Sequence, residues 1–141
     1  MSAAGSIGQD TVLDMLAGLK AYWVANRPNL RVGLFQNNYD PVPGSVLGDF
    51  TAATFSGYSV VNLNPSTFGT PAYASGEGSM LSSAISTFTN AGTSQTIYGY
   101  YVWDNDTSKY LFGESFGSPV VMTTGYTISV QPKVKERSAY F

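Results

Sequence analysis

The apolar positions of this chain change their period once, near residue 28. Between Asp10 and Trp23 they fall at Val12, Leu13, Met15, Leu16, Leu19 and Tyr22 or Trp23, spacings of three and four that predict an amphipathic helix over 10–25. Thr11 and Asp14 stand in capping-box spacing at its start, and Asn26-Arg27-Pro28 supplies the stop. So short a helix is unstable alone in water, and the expected seat for its apolar stripe is a sheet of the same chain. Residues 1–9 are small and polar and read as a flexible arm.

From Leu30 onward the period becomes two. Leu30-Arg31-Val32-Gly33-Leu34-Phe35 predicts a strand with Leu30, Val32 and Leu34 on one face, followed by a loop of turn formers from Gln36 to Gly44. Val46 to Phe50 predicts one helical turn, and Tyr58 to Leu63 a second strand. Asn64 to Gly78 contains Pro65, Gly69, Pro71, Gly76 and Gly78 and predicts a long excursion rather than a tight hairpin. Ser86 to Asn90 predicts a short strand. Gly117-Ser118-Pro119 reads as a turn before a short strand Val120–Met122, and Thr123-Thr124-Gly125 as another. Tyr126 to Val134 alternates, with Tyr126, Ile128 and Val130 inward, and Pro132 marks a strand end or sheet edge.

The most aromatic stretch is Gln95 to Phe116. Gln95-Thr96-Ile97-Tyr98-Gly99-Tyr100-Tyr101-Val102-Trp103 and Lys109-Tyr110-Leu111-Phe112-Gly113-Glu114-Ser115-Phe116 flank a cluster of turn formers, the signature of a β-hairpin. With residues 104 to 108 as the loop, Trp103 faces Lys109, Val102 faces Tyr110, Tyr101 faces Leu111, Tyr100 faces Phe112, Tyr98 faces Glu114, and Gly99 meets Gly113 in a notch that admits a ring or a second backbone. Both faces are apolar, so both are expected to be covered, one by a second sheet and the other by a helix or a neighbouring subunit. Together these elements predict an all-β protein, an antiparallel β-sandwich or jelly roll with one N-terminal α-helix, in a single domain over 10–141.

Composition narrows the function. Charged residues make up 11% of the chain and aromatics 14%, with ten tyrosines, against roughly 25% charged in average soluble domains. Such a surface suits a protein largely occupied by partners. A net charge of −2 offers no basic footprint for nucleic acid. With neither cysteine nor histidine, the chain has no disulfide, no thiolate or imidazole metal site, and no Ser-His-Asp triad. No run is long enough for a membrane helix, and the start at Met1 lacks a signal peptide's basic and apolar regions, so the chain is expected to be made in the cytoplasm and used as translated.

Two constellations remain. Asp104-Asn105-Asp106 offers oxygens, but an EF-hand loop needs Gly sixth and Glu twelfth, where Lys109 and Ser115 stand; a solvated turn is the expected role. Glycoside hydrolysis needs two carboxyl groups across a sugar, and nothing in the spacing of Asp40, Asp49, Glu77 and Glu114 pairs them. Neither a catalytic residue nor a metal or cofactor is expected. Tyr39, Tyr98, Tyr100, Tyr101, Trp103, Tyr110 and Phe112 are the candidates for an oligomer or partner interface, since Tyr and Trp are enriched there; the same rings are candidate sugar platforms.

Three segments carry a resemblance: Leu30-Arg31-Val32-Gly33-Leu34-Phe35-Gln36-Asn37-Asn38-Tyr39 with its proline-containing loop, Gln95-Thr96-Ile97-Tyr98-Gly99-Tyr100-Tyr101-Val102, and Gly125-Tyr126-Thr127-Ile128-Ser129-Val130-Gln131-Pro132. Over residues 30–134 the chain resembles small structural proteins of tailed bacteriophages, in particular the jelly-roll cement or decoration proteins that sit as trimers on the capsid. The resemblance implies a non-enzymatic virion protein on the capsid surface, a homotrimer bound to the major capsid protein, with no nucleic-acid or membrane partner. It transfers no individual functional residue. The alternatives are a tail, fibre or baseplate domain that binds host glycan, and a tail completion or connector protein.

Overall fold

The computed structural model describes residues 8–26 and 29–137. Among the described residues one α-helix, α1 (Gln9–Asn26), precedes nine strands: β1 (Leu30–Phe35), β2 (Val61–Leu63), β3 (Ala72–Ala74), β4 (Glu77–Leu81), β5 (Ser86–Thr89), β6 (Gln95–Asp104), β7 (Lys109–Met122), β8 (Thr127–Val130) and β9 (Lys133–Arg137). All pairings are antiparallel, and they form a four-stranded sheet in the order β2-β1-β6-β7, a three-stranded sheet β3-β4-β9 and a pair β5-β8. The protein is thus an all-β antiparallel sandwich with one N-terminal helix. The expected arm over 1–9 lies outside the described residues up to residue 7, as do Arg27 and Pro28.

The helix lies on the chain's own sheet. Val12 and Leu16 cover Gly78 of β4, where no side chain would fit, and Trp23 reaches Phe68 at a ring distance of 5.4 Å and Phe112 of β7 at 6.3 Å. Val12, Leu16 and Trp23 are buried. Because α1 begins at Gln9, Thr11 and Asp14 lie inside it and do not form the expected capping box.

One apolar cluster joins the helix to all three sheets. It includes Leu30, Val32 and Leu34 of β1, Ile97, Tyr100 and Val102 of β6, Met80 of β4, Phe88 of β5, Ile128 and Val130 of β8, and Val134 of β9.

The strand expected over Tyr58 to Leu63 shortens to β2 alone. The strands depart from the expected pattern in four further places. The excursion over 64–78 contains the hairpin β3–β4, closed by Ser75 (φ 52) and Gly76 (φ 78); two consecutive positive φ values make the tight primed turn that follows strand twist. Second, β7 does not stop at Gly117-Ser118-Pro119. Ser115 pairs with Gly99 and Val120 with Ile97, so 116–119 bow out of the ladder while the strand runs on, and Pro119 is tolerated because β7 is the sheet edge. Third, the run after Tyr126 is two strands, β8 on β5 and β9 on β4, with Pro132 at the crossing. Tyr126 itself is 45% exposed rather than inward.

The fourth concerns the aromatic hairpin. Asp104 pairs with Lys109 and Trp103 with Tyr110, leaving a four-residue turn over 105–108. Beyond it, Val102 pairs with Phe112, Tyr101 with Gly113, Tyr100 with Glu114 and Gly99 with Ser115, which leaves Leu111 as an extra residue. Such a bulge increases twist and re-aims the side chains after it. The notch at Gly99 is real, but the Phe35 ring and the Glu114 carbonyl fill it, not Gly113.

Candidate interaction surface

Strand alternation sends Tyr100 and Val102 into the main core and Tyr101 and Trp103 to the opposite face of the sheet. There they meet Phe35 and a second cluster built by the loop after β1. Phe50 lies flat on Tyr101, with ring centroids 4.8 Å apart and planes 2° from parallel, and Tyr101 in turn stacks on Trp103 at 4.8 Å. Tyr39 stands edge-on to Phe50 at 5.2 Å, and Tyr110 closes the stack at 4.9 Å.

The loop over 36–50 is held by its own polar groups. The Val46 N–H donates to Asp49 Oδ2 at 2.9 Å, Thr51 N–H to Asn37 Oδ1 at 2.8 Å, and the Tyr39 hydroxyl lies 2.5 Å from Ser45 Oγ. Ser115 Oγ donates to Asp40 Oδ1 at 2.8 Å and ties the loop to β7. Asx and Ser/Thr side chains that bond local backbone hold such a loop where helix or sheet bonds are absent. Both sides of β6 from Tyr100 to Trp103 are therefore covered by this chain, while Tyr98 and the facing residues Tyr110 to Phe112 of β7 stay half-buried.

Burial has predictable effects on the tyrosines, because a phenolate is disfavoured away from water. Burial, with a smaller contribution from Tyr58, pushes Tyr101 up to about 12. Burial first and Tyr39 second push Tyr110 up to about 12. Tyr100 is raised further, by burial and then by the Glu114 charge.

The seven interface candidates divide. Tyr100, Tyr101 and Trp103 are spent on the interior, each with less than a tenth of its surface exposed; little of them is left for a partner, and the Trp103 face is not free to stack on a sugar. Tyr39, Tyr98, Tyr110 and Phe112 are half-buried. Tyr39, Tyr98 and Tyr110 rim the second cluster, while Phe112 packs against the main core. The Asp104–Asp106 segment is a turn, with Asp106 N–H donating to Asp104 Oδ1 at 2.9 Å. The four carboxylates considered for hydrolysis serve different elements. Asp40 and Asp49 brace the loop, Glu114 pairs with Lys135 at 2.5 Å, and Glu77 opens β4 beside the Ser75-Gly76 turn. Among the described residues no three acidic groups converge on a metal-sized site, and no helix is long and apolar enough to cross a membrane.

What the fold leaves outside is mainly aliphatic. Val42 and Val46 project from the stapled loop at 53% and 60% exposure, beside a shallow groove between Pro43–Leu47 and Thr107–Tyr110. Leu81 at the end of β4 and Ile85 beyond it stand out, as do Val121 and Tyr126 where β7 gives way to β8, and Met15, Tyr22 and Val24 on α1. Met15 and Tyr22, expected in the apolar stripe that seats α1 on the sheet, face water instead, because Val12, Leu16 and Trp23 are the helix residues buried against the core; Tyr126, expected inward, is exposed as well. For Val42 and Val46 the available signal was valine beside proline and glycine at 41–46, where nothing local would bury it. Comparison of the chain with protein-family models, curated proteins and solved structures gives no match.

Proposed function

We propose that this chain is a structural virion protein, a cement or decoration subunit that binds the assembled bacteriophage head and stabilises it as an oligomer, without catalysis. The reading rests on the resemblance over residues 30–134. The structural observation that supports it best is the distribution of exposed apolar side chains: Val42 and Val46, Leu81 and Ile85, Val121 and Tyr126, and Met15 and Tyr22 come from four different segments of the chain. A single-ligand receptor concentrates such residues in one pocket, whereas a subunit wedged among neighbours spreads them around its body. Many weak contacts made together gain avidity, and a protein that prefers the assembled shell to free capsid subunits stabilises the shell by mass action.

The chain's braced interior fits that role. The aromatic stack and the stapled loop consume its largest rings internally, so partners meet a preorganised surface and lose less conformational entropy on binding. In the group it resembles the subunits are trimers, and the major capsid protein is the partner.

Electron cryomicroscopy of the particle that carries this chain tests the reading. Copies are expected on the outer shell of the head, and particles stripped of the protein should rupture at lower temperature. Copies found only at a tail tip, with glycan binding by the purified protein, would replace the cement role with receptor recognition.

A further inference from the structure

We draw no further inference here: the strongest candidate, the shallow groove between residues 43–47 and 107–110 with Val46 on its wall and Val42 exposed beside it, belongs to the surface already described, and nothing in the structure shows what covers it.

Discussion

The Tyr100 hydroxyl accepts the Lys133 N–H at 3.1 Å and donates to Glu114 Oε2 at 3.3 Å, so one phenol on β6 bridges the start of β9 and the adjacent strand β7. Glu114 also pairs with Lys135 of β9 at 2.5 Å. The four-stranded and three-stranded sheets are joined through this ring, which is 3% exposed. Removing the hydroxyl strands a part-buried backbone donor, and that omission costs more than the bond itself is worth. Tyr100→Phe is expected to lower stability by about 1–3 kcal/mol. Lys135→Ala removes an ion pair whose side chains are 41% and 32% exposed, and such a pair is worth about 1 kcal/mol or less. Urea unfolding of both variants checks the order; a larger loss for Lys135→Ala than for Tyr100→Phe would mean that the ion pair, not the phenol, joins the sheets.

Alkaline pH should unfold the protein through its interior tyrosines. Tyr101 and Tyr110 are pushed from 10.0 up to about 12. A raised acid holds its proton better in the folded state, so above pH 10 the folded chain binds more protons than the unfolded one and stability falls as pH rises. The stabilising contribution is complete below pH 10 and is lost as pH climbs through about 12. Denaturation followed across that window by tyrosinate absorbance should show cooperative ionisation of the buried rings, and Tyr101→Phe should flatten the pH dependence.

The stapled loop depends on one ring. Phe50, 8% exposed, contacts Phe35, Tyr39, Tyr101 and Tyr110. Phe50→Ala is expected to cost about 3–5 kcal/mol, and limited proteolysis should then cut preferentially between residues 38 and 48. Cleavage in the β5–β8 region instead would show that the loop is held mainly by its hydrogen bonds.

The Ser75-Gly76 turn offers a gain. Ser75 sits at φ 52, a conformation that asparagine tolerates better than serine, and Asn-Gly is the preferred pair for this turn. Ser75→Asn should stabilise the protein by about 0.5 kcal/mol, seen as a higher urea midpoint with an unchanged slope. A loss of stability would show that the β3–β4 turn is of another type.

Local chemistry explains which elements were legible in the sequence. The helix and the strands Leu30–Phe35 and Ser86–Thr89 were legible as elements from periodicity and bounding turn formers alone. Not all of their buried residues were: Phe35 is sealed on the face opposite Leu30, Val32 and Leu34, and Met15 and Tyr22 of the helix face water. The hairpin β6–β7 was visible as a pair of strands, but its register was not. An Asp104 that still pairs and an extra residue at Leu111 shift every contact after the turn, and a bulge is chosen by what the twisted sheet must cover. For the same reason Gly117-Ser118-Pro119 reads as a turn and proves to be an unpaired bow in a continuous edge strand.

The interface candidates illustrate the same division. Sequence by itself determined that the Tyr- and Trp-rich ribbon is apolar on both faces, that the chain has neither histidine nor cysteine, and that one helix precedes an antiparallel sandwich. Only the tertiary structure decided that the loop carrying Tyr39 and Phe50 folds back over Tyr101 and Trp103, turning those rings inward while Val42, Val46 and the Met15 and Tyr22 side chains of α1 stay exposed. The physical reason is that periodicity tells which side chains avoid water, whereas the identity of the surface that shields them depends on contacts between residues far apart in the chain.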